Sequence, residues 1–330
     1  MKQQLVSSTT KQPRAIYYLF LTEMWERFSY YGLTALLILY MAKSFGIADT
    51  QVYAIYGAYG ALVYTTPILG GFIADRLLGV FKTVIIGAVL ISIGHFIMAM
   101  PETGHEYFYL GLAFIITGTG LFLPNIATVV GHLYENNDPR RDGGFTLAYM
   151  GRNLGTIIAP IIVSFVALKY GFLLAFSLAG FGMLFGLFVF LKGRQYYHPD
   201  LFKPAKQNKN SLLRKLPRQY QFATLVVLAI AAVYYAMNNV DITGDILYTT
   251  GVITFALLLM LAFRCQRVER NAMFLVLLLT VFYVIFMALL QQSGGMLNLF
   301  TLRHVDRNFM GWTVPTGLYQ SVEPFFIVAL

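Results

Sequence analysis

LFLTEMWERFSYYG, residues 19–32, places Glu23, Glu26 and Arg27 inside an apolar run that extends from Ala15 to Met41. Such a run is long enough to cross a bilayer as a helix, because about 20 residues span a hydrocarbon core about 30 Å thick. An ionised side chain near the centre of a span costs roughly 2.5–3.5 kcal/mol on insertion scales, so three together must neutralise one another or serve a purpose. Positions 23, 26, 27, 30, 31 and 34 share one helix face, following i, i+3, i+4, i+7, i+8 and i+11. Glu23, Glu26, Arg27, Tyr30, Tyr31 and Thr34 therefore form a polar stripe. At 1.5 Å per residue, Glu26 and Arg27 lie roughly 17 Å from the helix start, near the bilayer middle.

Two readings of the stripe stand side by side. In the first, Glu23 and Arg27 make a structural i,i+4 ion pair that holds helices together. In the second, the stripe has two carboxylates beside one guanidinium, and the surplus carboxylate is a natural proton acceptor. Intramembrane ionisable groups are usually functional, and secondary transporters place their sites at this depth. The second reading is favoured.

Composition extends the membrane reading to the whole chain. With 58% hydrophobic and 12% charged residues among 330 and a mean hydropathy of +0.64, it has more apolar surface than one soluble core buries. Windows of about 20 residues predict spans near 15–41, 52–74, 81–100, 107–133, 145–168 and 171–191. After a basic stretch, further spans are expected near 220–237, 244–263 and 271–300, and another from about Val314. FFIVAL at 325–330 has no Gly, capping polar residue or basic flank, so that helix is expected to continue. The expected organisation is an all-α membrane protein with a six-helix bundle at 1–191 and a basic cytoplasmic linker at 192–219. A helix pair at 220–263 and the start of a second bundle at 264–330 complete it.

Charge sets the orientation. With a cytoplasmic N-terminus, 18 of the 24 Lys and Arg fall on inside segments, four outside (Lys43, Lys169, Arg303, Arg307) and two within spans (Arg27, Arg152). Every inside loop obeys the positive-inside rule, so the net charge of +9 reports topology. A nucleic-acid partner would need a soluble basic domain, which this pattern does not contain. Residues 1–14 read as a polar leader, and the span after them is too long for a signal h-region. A single cysteine, Cys265, leaves no internal disulfide to form and suits a bacterial inner membrane. The five histidines are scattered, with no HExxH, Cys/His cluster, GxSxG or P-loop, so no enzyme, metal or cofactor is expected. His95, deep in a span, is read as a hydrogen-bonded packing residue ahead of a proton relay.

The spelling ExxERFSYYG at 23–32 resembles the signature of the proton-coupled oligopeptide transporter family of the major facilitator superfamily. Gly71, Asp75, Arg76, Gly79 and Lys82 of GGFIADRLLGVFK are similar to the superfamily's loop between helices two and three. GLFLPNIATVVG and NDPRRDGGFTLAYMGRNLGTIIAP resemble the family's helix four and the stretch running into helix five. QQSGGMLNLFTLRHVD resembles its helix seven, and LYQSVEPFFI its helix eight. The resemblance implies a major facilitator-type helix bundle that imports di- and tripeptides with protons by alternating access, monomeric as a transport unit. Residues 220–263 would be the helix pair that bacterial members insert between their halves.

The resemblance also implies a site. Glu23, Glu26 and Arg27 would serve proton coupling; Arg27, Tyr31, Tyr64 and Asn153 would meet the peptide, with Gln291 and Glu323 at further binding positions. Gly71, Asp75, Arg76 and Lys82 would form the gating loop. This chain departs from the family in having Leu123 for a usual Lys, Gln291 for a frequent Glu and Thr34 for a frequent Arg. Arg152 replaces a common apolar residue, and Glu323 a usual Asn. Lying about 12 and 13 Å from opposite faces of a core of roughly 30 Å, Arg152 and Glu323 are expected to form a replacement charge pair. The alternative is that Arg152 snorkels to the cytoplasmic interface. Same-fold transport of nitrate or amino acids, or a non-transporting remnant, are the other functional readings. Because alternating access rocks one six-helix bundle against another, residues 1–330 alone are expected not to transport. Pro67, Pro124 and Pro160 interrupt spans and Gly151 and Gly155 form GxxxG, features that ordinary membrane-helix packing explains equally well.

Overall fold

A computed structural model describes residues 11–100, 105–135, 137–203 and 217–329. Most of the expected polar leader and of the basic linker, at 1–10 and 204–216, lies outside the described residues. The long helices are α1 (Arg14–Ser44), α2 (Asp49–Ile73), α3 (Val80–Met98), α4 (His105–Gly131), α5 (Arg141–Tyr170) and α6 (Phe172–Lys192). They are followed by α7 (Arg218–Asn238), α8 (Val240–Arg264), α9 (Arg267–Leu290), α10 (Met296–His304) and α11 (Val322–Ala329). A two-residue antiparallel pair, β1 (Asn308–Phe309) with β2 (Trp312–Thr313), separates α10 from α11.

Among the described residues, eight segments are long and apolar enough to cross a membrane. Helix α1 is not one of them, because Glu23, Glu26, Arg27 and Lys43 dilute its apolar run. It is instead buried along most of its 31 residues. That position keeps its charges away from lipid, where they would be most costly.

Small residues set the helix contacts and reveal their directions. On α5, Gly151 lies against the Phe20 carbonyl and Gly155 against that of Met24, while Gly32 of α1 meets Val163; a Cβ at either α5 position would strike backbone. Residue numbers rise together in steps of four on both helices, so α1 and α5 run parallel with interlocking i±4 rows. Gly87 opposes Gly118 and Gly94 opposes Gly111, which makes α3 and α4 antiparallel. Helices α2 and α4 are parallel, joined by Gly70 against Gly120 and by Thr66 Oγ1 donating to the Ile116 carbonyl at 3.3 Å. Gly182 meets Phe28 and Gly193 meets Tyr18, so α6 is antiparallel to α1. Six successive crossings require all four of these relations: helices an even number of crossings apart run alike, and the rest run opposed. Beyond them, α7 packs on α4, and α8 packs on both α2 and α9.

The turn between α4 and α5 anchors the chain entering α1. Arg140 bonds Asp138, holding that carboxyl below the usual carboxylate range, and also donates to the Lys11 carbonyl at 3.0 Å. Gln12 donates to the Arg140 carbonyl at 3.1 Å and accepts from Tyr134 Oη at 2.8 Å.

Two expected spans are discontinuous. The run at 271–300 ends as α9 at Leu290, tightens into a 3-10 turn at Gln291–Ser293 and resumes as α10 at Met296. Gly294 and Gly295 supply the flexible backbone, and a Cβ at Gly294 would displace the Tyr56 hydroxyl. The span expected from Val314 opens with a 3-10 turn, Thr316–Ser321, and becomes α-helical only at Val322. There Gly317 is wedged against Ser164 and Ala35. Pro67, Pro124 and Pro160 lie inside α2, α4 and α5 without ending them.

Candidate functional site

Arg152 stands between the two α5 glycines that touch α1, so the helix contact itself delivers its side chain to the polar stripe. Its guanidinium grips Glu23 at two points, Nε to Oε2 at 2.6 Å and Nη2 to Oε1 at 2.9 Å. Glu23 is wholly buried, while the Arg152 side chain keeps 34% exposure. On α1 itself, Arg27 Nε lies 2.8 Å from Glu26 Oε2. Adjacent residues on a helix diverge rather than face one another. The approach is accordingly side-on, and neither Arg27 Nε nor Glu26 Oε2 has a hydrogen-bond partner.

Glu23 and Arg27 do not form the i,i+4 pair of the less favoured reading, and the expectation of two carboxylates beside one guanidinium is corrected, because Arg152 supplies a second. Nor is Arg152 paired with Glu323. Its contact with Glu23 spans only the α1–α5 interface, whereas Glu323 is exposed at the start of α11, within electrostatic reach of Tyr31.

Aromatic rings continue the stripe. The Arg27 guanidinium lies 5.3 Å from the Tyr30 ring centre. Tyr30 meets Tyr31 edge-on at 5.1 Å and stacks on Tyr59 of α2 at 6.3 Å. Tyr59 is buried and its hydroxyl lacks a partner. A cleft of about 680 Å³ then opens between α2 and the α9–α10 break, lined by Tyr56, Gly60, Tyr64, Met287, Gln291 and Gly295 among others. Small-molecule sites span about 300–1,000 Å³, so the cleft is of ligand size. It brings Tyr64 and Gln291 together; the four charged residues of the cluster lie outside its lining. Asn153, next to Arg152, is buried and donates to the Tyr149 carbonyl of its own helix at 2.9 Å.

The loop residues lie elsewhere. Asp75 and Arg76 sit on a π-helical turn, Ala74–Leu78, which extends α2 and is closed by Gly79 at φ 83°. A positive φ is the reason a glycine is needed there. Arg76 rests 5.1 Å from the Phe72 ring. Among the described residues, Asp75, Arg76 and Lys82 make no ion pair, and the space beside Gly71 is open.

Sequence reading missed several partners. His95 of α3 shares a 2.7 Å hydrogen bond with Ser29 of α1, one turn from Glu26, and its Nδ1 has no partner. A seam joins the later helices to the first ones. Arg303 holds Asp49 bidentately at 2.6 and 2.9 Å, Asn298 Nδ2 donates to the Ala35 carbonyl at 2.9 Å, and Ser321 Oγ to that of Ile157 at 2.7 Å. Polar residues beside the Gly294–Gly295 break were the available signal for Asn298. Nothing local identifies the partner of Arg303, which is 254 positions away.

Comparison with known proteins places these features in a family. The family model PTR2, described as the POT family, matches residues 81–330. A di-/tripeptide transporter of Lactococcus lactis subsp. cremoris is 34% identical over 340 residues, covering 97% of this chain and 68% of that protein. Dipeptide and tripeptide permease B of Salmonella typhimurium is 32% identical over 323 residues, covering 96% of this chain and 64% of its own length. A crystal structure of a peptide transporter POT in complex with sulfate matches with a TM-score of 0.84 at 31% identity, covering 96% of this chain and 66% of that one. The chain thus spans about two thirds of the length of the relatives it matches.

Proposed function

We propose that this chain, which belongs to the POT family, acts in the membrane as part of a proton-coupled symporter that imports di- and tripeptides by alternating access. The observation that carries this reading is the quartet of the buried acids Glu23 and Glu26 with Arg27 and Arg152, joined by tyrosine rings to an aromatic cleft of ligand size. A short peptide offers a cationic end, an anionic end and an amide. It needs an acid, a base and neutral donors in a partly dry cavity. Glu26 and Arg27 meet the first two needs with atoms that no protein group satisfies. Tyr31, Tyr64, Asn153 and Gln291 are the proposed neutral contacts, and Glu323 a second acid near Tyr31. Protonation of Glu26 would release the Arg27 guanidinium for a peptide carboxylate, which makes proton and substrate binding interdependent.

Residues 1–191 are the proposed first bundle, 220–263 an added pair at its flank, and 264–330 helices of an opposing bundle. The distribution of basic residues supports a cytoplasmic N-terminus in a bacterial inner membrane. With that orientation, the Arg303–Asp49, Asn298–Ala35 and Ser321–Ile157 seam lies toward the outer side and holds the two halves closed there. The loop carrying Gly71, Asp75, Arg76 and Lys82 then lies at the inner side, as a gate.

The test is uptake in liposomes by a version of this chain completed to the length of its relatives. Glu26→Gln should abolish dialanine accumulation driven by a pH gradient while preserving exchange of dialanine across the membrane. Gradient-driven accumulation at the wild-type level would remove Glu26 from the mechanism.

A further inference from the structure

We propose that Arg152 divides the buried charge cluster into a fixed pair and an exchangeable one. By engaging both oxygens of Glu23, it reserves Arg27 for Glu26 and confines proton exchange to Glu26. The proposal rests on the symport reading and adds a positioning residue that the family pattern does not supply.

Three observations carry it. First, the two ion pairs differ in kind. Arg152 and Glu23 make two hydrogen bonds, whereas Arg27 and Glu26 approach side-on and leave Nε and Oε2 without one. A bidentate charge-assisted pair stabilises the ionised carboxylate on both oxygens. A side-on contact leaves a lone pair to receive a proton and an N–H to receive an anion. Second, close backbone contact brings the fixed pair together. Gly151 and Gly155 flank Arg152 and lie directly on α1 carbonyls, so the α5 backbone holds the guanidinium against Glu23. Third, the cation other than Arg152 that these surroundings offer Glu23 is Arg27, the partner of Glu26. The ionisable groups around the two acids are Arg27, Tyr30 and Tyr31 on α1, Arg152 on α5, Tyr59 and Tyr64 on α2 and, through Tyr31, Glu323 on α11. His95 of α3 faces Ser29, and α6 meets this part of α1 with Gly182 and Gly186 against Phe28 and Trp25.

Without Arg152, the i,i+4 spacing lets Glu23 turn to Arg27, and two acids then compete for one cation. The cluster gains a negative charge and takes up a second proton. Loss of Glu23 does the reverse, leaving an unpaired cation beside Glu26. The two single substitutions therefore act in opposite directions, and removing both partners restores a lone Glu26–Arg27 pair.

Infrared difference titration of the purified protein reads this directly, through the carbonyl band of protonated carboxyls, and needs no substrate. In the wild type a single buried band should titrate, absent in Glu26→Gln and retained in Glu23→Gln. Arg152→Leu should add a second band and move the midpoint up by about one pH unit or more, and Glu23→Gln should move it down. The double variant, Glu23→Gln with Arg152→Leu, should return within a few tenths of a unit to the wild-type midpoint. That variant removes both charges, so it keeps the comparison valid if Arg152→Leu alone fails to fold. A wild-type band that disappears in Glu23→Gln, or midpoints unchanged in every variant, would overturn the proposal. If the bands behave as expected but liposomes carrying the version completed to its relatives' length show no proton-driven peptide uptake, the charge division stands and the symport reading fails.

Discussion

At the scale of single residues, each buried polar atom needs a partner, and the few that lack one mark where function or fragility is concentrated. Arg27 Nε and Glu26 Oε2 belong to the proposed site. His95 marks fragility: it is wholly buried, one ring nitrogen bonds Ser29 and the other has no partner. Ser29→Ala would leave both nitrogens unsatisfied inside the α1–α3 contact, at a cost of about 1–3 kcal/mol. Thermal unfolding in detergent should show that loss. Unfolding at the wild-type temperature would mean that His95 finds another partner. The identity of the stripe residues was legible in the sequence, since period and charge are local properties. Their pairing was not. Glu23 sits four residues before Arg27, but the cation it engages is 129 positions away on α5.

At the scale of helices, direct backbone contact through glycine matters more than the apolar side chains that dominate the composition. Gly155 faces the Met24 carbonyl so closely that even a Cβ would overlap it, and the same face of α5 carries Arg152. Gly155→Leu should push α5 away from α1, break the grip on Glu23 and lower both the yield of folded protein and its unfolding temperature. Gly71→Leu, where nothing lies within 4 Å, should leave the unfolding temperature unchanged. Comparing the two on a fluorescence size-exclusion column would expose an error if both behaved alike. The GxxxG spacing at 151–155 was visible in the sequence, but its partner helix was not, because every span carries small residues. The break between α9 and α10 could have been read from QQSGG, where polar residues and paired glycines interrupt an apolar run. That this break would line a cleft with Tyr56 and Tyr64 depended on α2 lying opposite.

At the scale of the whole molecule, the helix directions and the distribution of basic residues lead to the same alternating path through a bilayer. The charge pattern supports the proposal of which end is inside. On a Cys265→Ser background, Lys206→Cys should resist a membrane-impermeant maleimide added to intact cells, and Lys169→Cys should react with it. Outside labelling at position 206 would invert the proposed topology, and with it the assignment of the Arg303–Asp49 seam to the outer side.

Membrane residence, the succession of helices and the charged face of α1 were determined by the sequence alone, because hydropathy and helical period are properties of neighbouring residues. Orientation was argued in the same way, from counts of charge in loops. Tertiary structure alone settled which acid holds which base. The Arg152 side chain reaches Glu23 because two glycines bring α5 onto the α1 backbone, and Glu323 stands exposed at the start of α11. Reach of that kind depends on distances of a few ångströms between segments more than a hundred residues apart, and no local pattern encodes them.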